Sequence, residues 1–230
     1  MVGGVPADPR GAPVPMDIER FRELPLLGIL RGIEADTVQP LAETVLATGI
    51  RTIEITMNTA GAAGLIRRMV AAGSGRLMVG AGTVLSLDDL QRALDAGATF
   101  IVLPILIPSV VERCAERKIP VFPGALTPKE IHDAWSAGAT MVKVFPASCV
   151  GPEYFREIKG PFQDVELLAC GGVTAANLGD YCSRGASAVA FGASVFRPDW
   201  LASREFSRVG VELEKLVAAY RLRREAAPVR

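Results

Sequence analysis

The sequence predicts a single α/β domain, a (β/α)8 barrel with a short N-terminal helix, on three observations. Short apolar runs recur roughly every 20 to 25 residues along a chain of 230 residues, each followed by a turn and an amphipathic stretch. The runs are apolar nearly throughout, which marks strands of a parallel sheet covered by helices. Eight such units of similar length, with no second block of different composition, fit a closed barrel better than an open doubly wound sheet. The length suits one compact barrel with one core.

Taken in order, Ile18–Leu24 forms a short helix that closes the bottom of the barrel ahead of the first strand, Leu26–Leu30. The next strands are Thr52–Met57, Leu77–Ala81, Phe100–Leu103, Ile119–Phe122, Met141–Phe145, Val165–Ala169 and Ala188–Phe191. Helical segments between them include Thr37–Thr48, Leu87–Ala96, Ser109–Arg117, Pro128–Ser136 and Ala175–Arg184, and a last amphipathic helix covers about Arg204–Arg221. Start signals are Ser86 ahead of Asp88 and Asp89, Thr127 ahead of Pro128, and Thr174 ahead of Ala175. Gly49, Gly97, Gly138 and Gly185 each stand between a helix and the next strand, where glycine accepts the left-handed conformation that ends a helix. Residues 1–15 read as a flexible tail rich in Gly and Pro, 16–222 as the barrel, and 223–230 as a charged tail that frays.

Composition narrows the function. Lys and Arg number 25 and Asp and Glu 25, a formal net charge of zero, where a nucleic-acid-binding protein would show a basic excess. His132 is the lone histidine, so a multi-histidine metal site within one chain is impossible. Cys114, Cys149, Cys170 and Cys182 form no CxxC pair and read as thiols in a reducing compartment. The first residues carry no apolar signal core, and no apolar run approaches the roughly 18 to 20 residues of a membrane span. A soluble cytoplasmic protein is expected, with neither membrane nor nucleic acid as partner.

In a (β/α)8 barrel the chemistry sits at the C-terminal ends of the strands. Two strands there break the apolar rule. In the second, Ile53, Ile55 and Met57 share one face and Thr52, Glu54 and Thr56 the other. The apolar face belongs against the helices, so Glu54 points into the barrel. A buried carboxylate must be paired or have a raised pKa, the condition for a general acid and base near neutral pH. In the sixth strand Val142 and Val144 share the outer face, which turns Lys143 inward with Met141 and Phe145. An amine in apolar surroundings favours its neutral form, a nucleophile for carbonyls. The plainer alternative is a structural ion pair between Glu54 and Lys143.

Glycines suggest an anion site at the same rim. Cys170-Gly171-Gly172-Val173-Thr174 ends the seventh strand, and Gly192-Ala193-Ser194 ends the eighth. Backbone N–H groups at such places bind phosphate, and barrels often hold phosphate after strands seven and eight. Gly80-Ala81-Gly82-Thr83 puts a hydroxyl at the end of the third strand; Thr83 either faces the site or caps the next helix.

In their order and spacing these segments resemble the class I 2-keto-3-deoxy-6-phosphogluconate (KDPG) and 4-hydroxy-2-oxoglutarate (KHG) aldolases, from about Leu24 to Phe196. The resemblance rests on Gly28-Ile-Leu-Arg31, Ile53-Glu54-Ile-Thr56, Gly80-Ala-Gly-Thr83-Val, Pro123-Gly124, Lys143-Val-Phe145-Pro146, Gly171-Gly172-Val and Gly192-Ala-Ser194. It implies a homotrimeric Schiff-base lyase with no metal or cofactor. Its substrate would be a phosphorylated keto acid, or 4-hydroxy-2-oxoglutarate, cleaved to pyruvate plus glyceraldehyde 3-phosphate or glyoxylate. Lys143 would form the imine and Glu54 would move protons. Arg31 and Thr83 would help hold the carboxylate, Pro104 and Phe145 would shape the pocket, and Gly171, Gly172, Gly192 and Ser194 would hold the phosphate.

Two positions depart from the best-known members, which have arginine where this chain has Asn58 and threonine where it has Cys170. Asparagine loses a permanent charge and a bidentate grip, and a thiol is a weak partner for a substrate hydroxyl. Aldolases acting on the galactonate epimer are similar to this chain at both positions, so either epimer stays open as substrate. Two other readings of the residues also stand: a phosphate-binding barrel isomerase or synthase, and a catalytically silent barrel used for assembly.

Overall fold

The computed structural model describes residues 15–226. Most of the proposed N-terminal tail and the last four residues of the C-terminal tail lie outside that range. Strands β1 (Leu26–Leu30), β2 (Thr52–Thr56), β3 (Met78–Gly82), β4 (Ile101–Val102), β5 (Val121–Phe122), β6 (Gly124–Ala125), β7 (Val142–Val144), β8 (Leu167–Cys170) and β9 (Ala186–Phe191) form one parallel sheet. Its order is β5-β4-β3-β2-β1-β9-β8-β7-β6. Because β5 and β6 are consecutive in the chain, the sheet closes on itself into the expected barrel.

The fifth strand is where the structure refines the sequence. Ile119–Phe122 was expected as one strand, but the chain crosses Pro123 and continues as β6. Proline has no N–H, so it interrupts the ladder and divides the strand in two. Before it, Val121 and Phe122 pair with β4. At it, the Pro123 carbonyl accepts from the Lys143 N–H at 2.9 Å, and β6 then pairs with β7. One short segment thus hands the sheet from one side of the closure to the other.

Between the strands lie α1 (Ile18–Glu23), α2 (Val38–Ala47), α3 (Ala62–Gly73), α4 (Leu87–Asp95), α5 (Pro108–Glu116), α6 (Pro128–Ser136), α7 (Gly151–Lys159), α8 (Leu178–Ser183), α9 (Pro198–Ala202) and α10 (Phe206–Ala226). The Ser86 side chain accepts from the Asp89 N–H at the start of α4, and Thr127 and Glu130 form a capping box on α6. The four helix-ending glycines all take positive φ.

Two helices differ in extent from the segments read in the sequence, and three more are not among them. α8 starts at Leu178, not Ala175: the Asn177 side chain accepts from the Thr174 N–H and donates to the Gly172 carbonyl, which holds 174–177 in a turn. α10 continues past Arg221 to Ala226, where Arg223 donates to the Cys182 carbonyl and Arg224 to that of Glu23. α3, α7 and α9 fill the places of unnamed amphipathic stretches; in α3 Gly64 lowers the helix propensity, and burial of Leu65, Ile66 and Met69 holds it.

Two apolar layers result. The larger lies between sheet and helices and includes Ile53, Ile55, Val142 and Val144. The smaller fills the barrel with Leu27, Met78, Phe100, Val102, Phe122, Met141 and Leu168. Phe21 of α1 plugs the N-terminal end: it is fully buried, its ring centroid lies 6.2 Å from that of Phe122, and Phe122 meets Phe100 edge-on at 5.9 Å. Packing fills the N-terminal half and leaves the other end for polar groups.

Candidate active site

The inward face of β2 is the most polar buried surface of the barrel: Thr52, Glu54 and Thr56 are all buried. With Ile53 and Ile55 committed to the outer layer, strand alternation leaves these three no other direction. Glu54 is 1% exposed, and its Oε2 has no hydrogen-bond partner among the described residues. β3 faces it with glycine, Gly80 opposite Glu54 and Gly82 opposite Thr56. Burial pushes the Glu54 carboxyl up to about 7, against the opposing pull of the Lys143 and Arg31 charges.

Lys143 is 7% exposed and stands in the middle of β7, between Gly124 on β6 and Leu168 on β8. Its Nζ lies 5.2 Å from the ring centroid of Phe145, two residues further toward the mouth. Among the described residues no salt bridge joins Lys143 to Glu54; the two act on one another through space. The expected inward pair is present, without the hydrogen-bonded geometry of a structural ion pair.

Cys170 closes the group as the last residue of β8, buried in the inner layer. Burial raises its thiol pKa, while the charges of Lys143 and Arg31 pull it down and that of Glu54 adds to the rise. Arg31, one residue past β1, is exposed and reaches this centre by its charge. Four residues from four neighbouring parts of the sheet, Glu54 and Lys143 within β2 and β7, Cys170 at the end of β8 and Arg31 just past β1, therefore act on one centre.

The remaining expected residues ring the same end of the barrel. Thr83 follows β3 with φ +55°, a conformation unusual for a residue with a branched side chain. The cap of α4 is Ser86, so the capping role considered for Thr83 does not apply. Pro104 is half-buried after β4, its carbonyl packed on Gly124 so closely that a Cβ there would lie 2.1 Å away. Asn58 sits in the exposed turn after β2.

Gly171 and Gly172 take φ of +98° and +75° and press on the turn after β7, where a Cβ on Gly172 would meet that of Ser148 at 2.7 Å. The Ser194 hydroxyl donates to the Val173 carbonyl at 2.9 Å, joining this loop to the one that begins at Gly192. Among the described residues the N–H groups of Gly172, Val173, Ala193 and Ser194 have no acceptor. The two loops thus present unbonded donors side by side, with Ser194 as the brace between them.

Two residues escaped the sequence reading as site components. Thr59 is buried, accepts from the Gly32 N–H and pairs with the Thr56 hydroxyl. Asn177 binds both ends of the Gly172–Thr174 segment. Each is an ordinary loop residue in sequence; only folding gives it partners.

This arrangement agrees with what the chain is similar to. The family model for KDPG and KHG aldolase matches residues 18–211. The chain belongs to this aldolase family. A relative described as a probable 2-dehydro-3-deoxy-6-phosphogalactonate aldolase, from Rhizobium meliloti, is 32% identical over 86% of this chain and 94% of its own length. A 2-dehydro-3-deoxy-phosphogluconate aldolase from Pseudomonas aeruginosa is 34% identical over 83% of this chain and 88% of its own. Among solved structures, that of native KDPGal superposes with a TM-score of 0.83 at 31% identity, covering 88% of this chain and 97% of that one. The aldolase is therefore a lyase with the barrel read from its sequence. Among the described residues no cluster of three or more His, Cys, Asp and Glu is arranged to hold a metal ion, and no helix is long and apolar enough to cross a membrane.

Proposed function

We propose that this aldolase works through an imine on Lys143, cleaving a 2-keto-3-deoxy-6-phospho sugar acid or 4-hydroxy-2-oxoglutarate to pyruvate and an aldehyde. The observation that carries this reading is the buried carboxyl of Glu54, unpartnered at Oε2, held near neutral pH and facing the barrel that also encloses Lys143.

The neutral amine of Lys143 adds to the substrate ketone, and Glu54, in its acid form, protonates the departing hydroxyl of the carbinolamine. In the resulting iminium the nitrogen accepts the electron pair of the C3–C4 bond as the C4 hydroxyl loses its proton and the aldehyde leaves. The enamine takes a proton at C3, and water hydrolyses the imine to free pyruvate. A carboxyl titrating close to 7 can give and take these protons.

The positive charge of Arg31 and the hydroxyl of Thr83 suit the substrate carboxylate, with Pro104 and Phe145 walling that part of the pocket. The unbonded N–H groups around Gly171, Gly172, Gly192 and Ser194 suit a distal phosphate. Asn58 and Cys170 favour the galactonate epimer, in keeping with the likeness to enzymes of that name. A homotrimer agrees with the family resemblance and with exposed Leu85 and Leu87, at the entry to α4, and Ile105, after β4. The cytoplasm is the setting we assign, with 16–222 as the catalytic unit.

Incubation with pyruvate and borohydride, then peptide mass analysis, tests the chemistry: one reduced adduct is expected, on Lys143. A folded protein left unmodified there contradicts the mechanism.

A further inference from the structure

The turn that carries Arg31 is tied to the strand that carries Glu54 by a buried relay of hydroxyl groups. Gly32 takes φ +65° just after β1, and its N–H donates to Thr59 Oγ1 at 3.0 Å. Thr59 Oγ1 lies 3.0 Å from Thr56 Oγ1. The Thr59 N–H bonds the Thr56 carbonyl at 2.9 Å, so both threonines are held by backbone and side chain. Thr59 is 7% exposed and Thr56 fully buried, on the inner face of β2 two residues beyond Glu54.

Arg31 has no such anchor of its own. Its side chain makes no hydrogen bond or ion pair among the described residues, although its charge acts on Glu54 and Cys170. The region its guanidinium can reach is therefore limited by where its backbone is held. The first hydrogen bond holding that backbone to β2 beyond the β1 ladder is the one from Gly32 to Thr59.

We infer that Thr59 is a positioning residue: it fixes the Arg31 turn relative to β2, so that the guanidinium meets the substrate carboxylate while the ketone reaches Lys143. The inference rests on the carboxylate-binding role proposed for Arg31. Replacing Thr59 by valine keeps its shape but removes the acceptor of the Gly32 N–H at a half-buried place and leaves the buried Thr56 hydroxyl without its partner. A planar guanidinium gripping a carboxylate tolerates little misplacement.

The test is a double-mutant cycle on Thr59→Val and Arg31→Ala in the full chain, with Thr59→Ser as the conservative variant. Steady-state cleavage and the pyruvate concentration giving half-maximal borohydride trapping are measured for each. Thr59→Val is expected to raise KM and the half-trapping concentration about tenfold with kcat within about twofold, and Thr59→Ser to restore both. On the Arg31→Ala background Thr59→Val should add nothing.

Multiplicative effects of the two substitutions, or failure of serine to restore affinity, overturn the inference. If Thr59→Val does not fold, Thr59→Ala is judged by the same outcomes. Unchanged pyruvate affinity in Arg31→Ala also overturns it, while trapping at Lys143 then shows that the imine chemistry stands without it.

Discussion

The Cα of Gly82 lies directly against the carboxylate of Glu54: a Cβ at residue 82 would sit 2.2 Å from Glu54 Oε1 and 2.7 Å from its Cδ. The Glu54 carboxylate occupies the volume that a side chain at residue 82 would fill, so it would have to move to admit one. Gly82→Ala should therefore displace the carboxylate and lower kcat about 100-fold, within the range contributed by general acid–base groups. Steady-state kinetics decides it, alongside a melting curve showing the variant folded; a kcat near the parent value would mean that the carboxylate need not hold this place.

Glu54 also makes stability depend on pH. Its pKa rises from 4.5 to about 7 on folding, so between those values the folded state binds the proton more tightly. Stability falls as pH rises through that window, and the full cost, on the order of 3 kcal/mol, is present only above it. Below about pH 4.5 both states are protonated and Glu54 contributes no difference. Glu54→Gln should thus be more stable than the parent at pH 8 and equal to it at pH 4. Denaturant titrations at the two pH values check this, and a difference independent of pH would contradict the assigned ionisation.

At the opposite end of the barrel, Phe21 fills the space under Phe122 and Phe100. Phe21→Ala should destabilise the fold by about 3–5 kcal/mol through the cavity it opens. Substrate KM should hardly change in the fraction that remains folded, because the plug lies at the strand ends remote from the site. Urea denaturation with parallel kinetics tests both halves of the expectation.

Cys170, buried at the end of β8 beside Lys143, offers a poor donor to a substrate hydroxyl. Cys170→Thr should shift the ratio of kcat/KM for the gluconate phosphate over the galactonate phosphate upward, by about tenfold for one added hydrogen bond. Both substrates are assayed in the same preparation. An unmoved ratio would remove Cys170 from the determinants of the epimer.

Much of the site was legible because strand alternation is strict. Ile53 and Ile55 on one side, and Val142 and Val144 on the other, leave Glu54 and Lys143 only the interior. The Thr83 hydroxyl was ambiguous in sequence, since a cap and a ligand-binding group look alike there; the bond from the Asp89 N–H to Ser86 removes the cap. Thr59 and Asn177 were not legible, because their partners are backbone groups whose positions depend on how separate loops come together.

By itself the sequence determined the order of the βα units and the inward direction of Glu54 and Lys143. These follow from periodicities that act within single elements. Only the tertiary structure decided that the fifth strand breaks at Pro123 to close the barrel, and that Gly82 vacates the space Glu54 needs. It also decided that Lys143 acts on Glu54 by its charge, with no salt bridge between them among the described residues. Such features depend on distances between segments far apart in the chain, which no local pattern encodes, and they set the protonation behaviour of Glu54.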